Sequence, residues 1–124
     1  MIEQELTHKI IGAAISVHKH WGPGLKESVY EKSFCKELSL LGLRFDTQTR
    51  VPLVYKGEVV GDELVYDVRV EEKVMVENKH VQEILPIHEA QLLTYMKLTG
   101  CRVGLIFNYR VKKLQPEGVR RFVL

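Results

Sequence analysis

The segment from Asp67 to Lys79, DVRVEEKVMVENK, constrains the fold more than any other part of the chain. Its valines alternate with other residues on both sides of a charged EEK triplet, which is the pattern of a β-hairpin. Two strands that fold back about Glu72 place Asp67 opposite Glu77 on one sheet face, with Cβ atoms about 5 Å apart. Lys79 follows on that face, and the valines pack on the other.

Two neighbouring carboxylates repel each other unless a cation lies between them. A hard divalent cation with oxygen ligands suits such a pair, with Mg²⁺ as the first candidate and Mn²⁺ as its alternative. Such an ion lowers the pKa of bound water from about 15.7 toward neutrality, and a nearby ammonium orients the nucleophile or offsets charge. A plain hairpin with a weak Glu77–Lys79 ion pair on a solvated face also fits, and the spacing alone favours it.

The 124 residues and the formal net charge of +2 indicate one domain of ordinary size, residues 1–124. So small a charge does not argue for nucleic acid by itself, and any electrostatic footprint must come from clustering. Cys35 and Cys101 match neither a zinc nor a disulfide pattern, which predicts reduced, buried thiols. Because no apolar run approaches the length of a membrane span or signal peptide, we expect a cytoplasmic protein without a membrane partner.

Apolar spacing and terminal signals predict helices in the first half and near the end of the chain. A Trp21-Gly22-Pro23-Gly24 loop separates the first two helices, and glycines end the later ones. The expected helices cover residues from about 3 to 18, from 25 or 26 to about 41, and from 86 to 99.

Alternating and apolar runs predict strands between and after these helices. Short strands are expected at 45–51, 53–55 and 59–60, with Lys56-Gly57 as a turn. The apolar run from Val103 to Phe107 indicates an interior strand parallel to the strand that ends at Lys79.

Two helices carry polar residues on otherwise apolar stripes. Glu27 precedes Tyr30 on the stripe of the second helix, which directs its carboxylate toward the protein; stabilisation by the helix dipole is the alternative. Gln91 precedes Tyr95 on the third helix, so either both face a polar group or Gln91 bonds to the backbone. The expected apolar stripes are Tyr30, Phe34, Leu38 and Leu41 on the second helix, and Ile87, Gln91, Tyr95 and Leu98 on the third.

A histidine and a group of basic residues elsewhere in the chain each allow more than one structural or functional role. His88 has no partner at metal-ligand spacing, which favours a capping or packing role. The basic residues near the end suit either phosphate contacts or a protected, solvated sheet edge; they are Arg110, Lys112, Lys113, Arg120 and Arg121.

The segment GPGLKESVYE resembles the signature of the GxxExxY family at Gly24, Glu27 and Tyr30. VENKHV and PIHEAQLLTYMKLTG resemble the rest of the pattern, and the resemblance extends over nearly the whole chain. That family belongs to the PD-(D/E)XK nuclease superfamily. The resemblance implies an α/β fold with a restriction-endonuclease-like αβββαβ core, in which helices flank a mixed sheet and the hairpin binds metal.

The resemblance also implies roles for single residues. Asp67 matches the motif aspartate, Glu77 and Lys79 match the (D/E)-x-K pair, and Glu27 matches an extra acid from a helix. Gln91 and Tyr95 are similar to a Q-x-x-x-Y element on the following helix. The implied catalytic residues are Glu27, Asp67, Glu77, Lys79, Gln91 and Tyr95, and the implied metal ligands are Glu27, Asp67 and Glu77.

The function implied by the resemblance is metal-dependent hydrolysis of phosphodiester bonds in nucleic acid, with DNA preferred. The alternative is a module that binds nucleic acid or a protein partner and leaves its metal site unused. A bare nuclease core needs a partner, a homo-oligomer or loose specificity to select its target. Asn78 and Arg69 replace usually aliphatic residues: Asn78 bears on packing, whereas Arg69 is expected either to grip a phosphate or to compete with metal for the carboxylates.

Overall fold

A five-stranded mixed sheet with helices on both faces forms the fold. The computed structural model describes residues 2–124, apart from the side chain of Glu63. In chain order the elements are α1 (Gln4–Trp21), α2 (Glu27–Leu40), β1 (Phe45–Tyr55), β2 (Glu58–Val70), β3 (Val74–Lys79), α3 (Pro86–Thr99), β4 (Val103–Asn108), α4 (Leu114–Glu117) and β5 (Val119–Val123).

The strands lie in the order β1-β2-β3-β4-β5. Only the β3–β4 pair is parallel within the described residues, because α3 provides the crossover between these two strands. The succession from α2 to β4 is αβββαβ, which confirms the expected restriction-endonuclease-like α/β class. Helix α1 precedes this core, and α4 and β5 follow it.

Two apolar clusters occupy the two faces of the sheet. The α1/α2-side cluster joins these helices to the hairpin valines Val68, Val70, Val74 and Val76. The α3-side cluster joins α3 to the opposite sheet face; its main members are Val51, Tyr66, Met75, Leu92, Tyr95, Met96 and Ile106. The valines therefore face away from the predicted carboxylate pair, as the alternation of the hairpin indicates.

The bounds of α2 and α3 agree with the sequence within two residues. Helix α1 continues past the expected end at residue 18, and Trp21, expected in the loop, is its last residue, because Gly22 at φ 70° ends the helix. Parts of the expected stripes also differ. Helix α3 spans the predicted 86–99, with Gly100 at φ 77°, but Ile87 and Leu98 are exposed. The buried face of α3 consists of Leu92, Tyr95 and Met96. It is rotated about the helix axis relative to the expected stripe, and these three side chains pack against the sheet. Leu41 is also exposed, because it follows the last helical residue of α2.

The predicted short strands are two long ones. Strand β1 continues through Pro52, and its register with β2 shifts between Val51 and Leu53. Because a proline lacks the N–H that a ladder needs, this irregularity on an edge strand accommodates it without ending the strand. The expected Lys56-Gly57 turn is present, with φ of 50° and 85°.

Other expectations concern single residues. The N–H of Leu85 donates to Nδ1 of His88 at 3.0 Å, which confirms a capping role for this histidine. Both cysteines are free thiols, Cys101 buried and Cys35 half-buried. Among residues 2–124, no helix is long and apolar enough to cross a membrane.

Candidate active site

The hairpin of β2 and β3 has the predicted register. Val68 pairs with Val76 and Val70 with Val74, which places Asp67 opposite Glu77. The turn contains Glu71 and Glu72 at φ 53° and 56°. The register of the hairpin therefore follows from the alternation of Val68, Val70, Val74 and Val76 in the sequence.

Asp67 and Glu77 are in direct contact. The backbone N–H of Asp67 donates to Oε1 of Glu77 at 3.4 Å, and the N–H of Asn78 donates to Oδ2 of Asp67 at 3.0 Å. Glu77 is only 4% exposed. Burial, followed by the neighbouring Asp67 charge, raises the pKa of Glu77 to about 9. Without a cation, the pair therefore retains a proton at neutral pH.

Lys79 supplies positive charge beside this pair. Its Nζ lies 3.9 Å from Oε2 of Glu77, and its side chain is largely buried at 19% exposure. The ammonium lowers the pKa of Glu77, but burial and Asp67 outweigh it. Lys79 consequently lies where it can orient a nucleophile or offset negative charge.

Helix α2 brings Glu27 toward the hairpin. Glu27 is the first residue of α2, and its side chain is exposed. Partial desolvation and then the charge of Asp67 raise the pKa of Glu27, while Lys79 and His80 lower it. Glu27 therefore interacts electrostatically with both the carboxylate and the lysine of the predicted site. Among the described side chains, however, no three or more His, Cys, Asp or Glu residues lie close enough together to hold a metal ion.

Glu31 is a further acid of the site that the sequence did not single out. Burial, followed by Asp67, raises the pKa of Glu31 to about 7. The amide Nε2 of Gln48 donates to both of its carboxylate oxygens at 3.0 Å. Glu31 lies one helical turn after Glu27, and this i, i+4 spacing is the signal that would have identified it.

A backbone irregularity on β1 and β2 faces these helical acids. Gln48 and Asp67 lie opposite each other, and Gln48 has a φ of 48°, in the left-handed region. Tyr66 packs in the α3-side cluster and Val68 in the α1/α2-side cluster, although both have the same strand parity. The alternation therefore breaks at Asp67, where the charge of its carboxylate also reaches Glu31.

Of the two site residues predicted on helix α3, one lies next to the carboxylates of Asp67 and Glu77. Tyr95 is 8% exposed, and burial followed by the charges of Glu77 and Asp67 raises its pKa. Gln91 is exposed one turn earlier on the same helix. Tyr95 thus borders the carboxylates, whereas Gln91 lies at the surface.

Two departures from the family pattern, Arg69 and Asn78, are accommodated differently. Nε of Arg69 lies 3.0 Å from Oδ1 of Asp46, and its guanidinium lies over the ring of Tyr66. Arg69 is therefore paired with a carboxylate of β1, not with the Asp67–Glu77 pair. Asn78 is fully buried on the opposite face, where Tyr109 Oη donates to its Oδ1 at 2.9 Å.

A model of the PD-(D/E)XK nuclease superfamily matches residues 4–122, almost the whole chain. The chain belongs to this superfamily. No curated protein and no solved structure is significantly similar to the chain. Membership in the PD-(D/E)XK superfamily indicates a nuclease, and hence a nucleic acid as the substrate.

PD-(D/E)XK nucleases typically use divalent metals. The donors present in this chain suit a hard cation, because Asp67 and Glu77 offer carboxylate oxygens and Glu27 lies within electrostatic reach. The proton retained by Glu77 fits the same interpretation, since a cation at the pair would replace it. The chemistry of the residues therefore agrees with the metal use of the superfamily.

Proposed function

We propose that this PD-(D/E)XK protein is a GxxExxY-type nuclease that hydrolyses phosphodiester bonds of nucleic acid, preferably DNA, with Mg²⁺ or Mn²⁺. The buried contact between Asp67 and Glu77, with Lys79 3.9 Å from Glu77, is the observation that carries this proposal. In the proposal residues 1–124 act as one domain. A cytoplasmic location belongs to the same proposal and is supported by the free thiols of Cys35 and Cys101.

In the proposed site Asp67 and Glu77 hold the metal, and Glu27 holds it directly or through water. The bound cation supplies a water of lowered pKa and polarisation of the phosphoryl oxygen. Lys79 positions the attacking water and offsets charge that develops on the phosphate. Tyr95, which borders the carboxylates, and Gln91, which lies at the surface, orient the site or the substrate backbone.

A second candidate is a module that binds nucleic acid or a protein partner without cleavage. The observation that favours it is that, among the described residues, no three or more His, Cys, Asp or Glu side chains are close enough together to hold a metal ion. Under either candidate a homo-oligomer or a protein partner supplies target selection, because base contacts rather than phosphate contacts carry sequence information.

The test is calorimetric titration of Mg²⁺ and Mn²⁺ into the wild type and into Asp67→Asn, with nicking of supercoiled plasmid measured in parallel. We expect millimolar or tighter binding and metal-dependent nicking by the wild type, and loss of both in the variant. Removal of a direct metal ligand is expected to lower the nicking rate by at least about 100-fold.

Glu58→Gln is the matched control, because Glu58 is an exposed acid at the start of β2. It should bind metal and nick plasmid as the wild type does. Nicking by Asp67→Asn at the wild-type rate would refute the assignment. Nucleic-acid binding without metal affinity or cleavage would establish the second candidate instead.

A further inference from the structure

A basic groove lies between the end of α1 and the segment before α4. It has a volume of about 470 Å³. Its lining contains three lysines and no carboxylate. The residues that line it are Ile15, His18, Lys19, Gly22, Lys112, Lys113, Leu114 and Gln115.

The lysines of the groove are not neutralised by the protein. Within the described residues, the ion pairs are Arg44–Glu71, Arg69–Asp46 and Lys79–Glu77, so none involves these lysines. All three groove lysines are exposed. For a chain of net charge +2, three free ammonium groups in one concavity are a strong local concentration of positive charge.

Internal contacts hold the walls of the groove in place. Nε2 of His18, a nearly buried residue, lies 2.8 Å from the carbonyl oxygen of Val111, which joins α1 to the opposite wall. Leu114 is buried in the α1/α2-side cluster. The groove is therefore a built concavity and not a gap between mobile side chains.

The segment that leads to one wall of the groove starts beside Lys79. Lys79 and Asn108 are partners at the carboxyl ends of parallel β3 and β4, and the N–H of Tyr109 donates to the carbonyl oxygen of Lys79 at 2.9 Å. The four residue-to-residue steps from Asn108 to Lys112 span at most about 14 Å. That length corresponds to about four base-pair steps of B-form DNA.

Helix electrostatics explains only part of this cluster. Lys19 lies in the last turn of α1, where the helix dipole favours a cation. Lys112 and Lys113 precede the short α4 and lie on no helix, so the dipole does not account for them. An anionic ligand explains all three lysines together.

We propose that this groove binds the phosphate backbone of a nucleic-acid strand whose continuation reaches the Asp67–Glu77 pair. The inference rests on the proposed function for the reacting end of the strand. A concave site suits a strand better than a flat anionic membrane, and the segment that forms one wall of the groove starts beside Lys79. The groove supplies affinity for phosphates without reading bases.

The experiment measures fluorescence anisotropy of a labelled 20-base-pair duplex, and of its single strand, in EDTA at several salt concentrations. The variant is Lys112→Ala combined with Lys113→Ala, and the control is Lys32→Ala combined with Lys36→Ala, an equal charge change on exposed positions of α2. We expect at least about 10-fold weaker binding by the groove variant at 0.1 M salt, with a log–log salt slope shallower by about 2. The control should bind within about twofold of the wild type.

Unchanged affinity and slope in a folded groove variant would overturn the inference, as would equal losses in the two double variants. Groove-dependent binding to vesicles with 30% phosphatidylserine, without binding to the duplex or to the single strand, would overturn it in favour of a lipid surface. Because the assay contains EDTA, its result is separate from cleavage. Groove-dependent binding without metal-dependent nicking would support the groove and refute only the nuclease proposal.

Discussion

Glu77 lowers the stability of the fold when no cation is bound. Its pKa is about 9 in the folded protein, compared with 4.5 for an ordinary glutamate. Between these pH values the folded state holds a proton that the unfolded state has released, so the free energy of unfolding falls as pH rises. The charge of Glu77 therefore costs no stability below pH 4.5, and the cost grows until the pH reaches about 9, where the folded state also releases the proton.

Glu77→Gln should therefore stabilise the protein while it removes activity. The amide keeps the shape and has no charge to bury, so we expect a gain of about 1 to 3 kcal/mol at pH 8 in EDTA. Thermal unfolding from pH 5 to 9 measures the effect, and the variant should show a flatter pH dependence. The exposed Glu58→Gln should follow the wild type; a less stable Glu77→Gln at pH 8 would contradict the buried-charge argument.

Gln48→Glu tests the contact between β1 and α2. It replaces the amide that donates to both oxygens of Glu31 with a second carboxylate. Because the pKa of Glu31 is about 7, repulsion should be strong at pH 8 and weak at pH 5. We expect a melting temperature several degrees below the wild type at pH 8 and nearly equal to it at pH 5. Equal losses at the two pH values would show that the backbone at Gln48, not the charge, is responsible.

The sequence predicts the hairpin pair but not the contact between Gln48 and Glu31 near it. Asp67 and Glu77 follow from a period of two and a central turn, which leave one register. Gln48 could not be predicted, because its left-handed backbone and its reach to α2 depend on a tertiary contact. Glu31 could have been predicted from its position four residues after Glu27 on the same helix, although it falls outside the G-x-x-E-x-x-Y pattern.

At the scale of elements, α3 lies directly on β4. A Cβ added at Gly104 would come within 3.0 Å of Leu92 Cδ2 and closer still to Met96 Sδ, both of which are fully buried. The glycine thus permits the crossover helix to approach the strand. This contact positions Tyr95 beside the carboxylates.

Gly104→Ala should cost about 1 to 3 kcal/mol, the usual range for an overpacked core. Urea unfolding measures the loss. Gly12→Ala on α1 is the matched control, since no atom lies within 4 Å of its added Cβ and alanine favours a helix by about 1 kcal/mol. A neutral Gly104→Ala would mean that Met96 and Leu92 repack freely.

Element ends were more predictable than element faces. Pro86 and Gly100 carry their own conformational preferences, so the bounds of α3 could be predicted from the sequence. Its buried face depends on where the helix packs on β4, and Ile87 and Leu98 are apolar residues that the sheet does not reach. Pro52 was expected to end a strand, but β1 continues through it, because the register with β2 shifts at this point of the edge strand.

At the scale of the whole molecule, acidic and basic side chains form separate clusters. The acids Glu27 and Glu31 of α2 interact with Asp67 of the hairpin, whereas the lining of the groove contains lysines and no carboxylate. The net charge of +2 conceals this arrangement, because opposite clusters cancel in the sum. Composition could not predict it, since the crossover through α3 and the packing of α1 bring these segments together.

The long β1–β2 hairpin extends beyond its neighbours. Strand β3 pairs with Val68–Val70 of β2, whereas the β1–β2 pairing continues to Tyr55 and Glu58. Val54 and Val59 near the tip are 60% and 64% exposed. A two-stranded ribbon with little burial opens at low free energy, so its amides should exchange with solvent much faster than those of β4.

Trypsin should therefore cut first at Lys56, an exposed residue at the ribbon tip. We expect mass spectrometry to find two peptides that still elute as one particle, and Lys56→Gln to remove that cut. First cleavage within β4 or α3 would contradict this order of opening. The nicked protein would carry Asp67 and Glu77 on one peptide and Glu27 on the other, so the site could be reassembled from separately made halves.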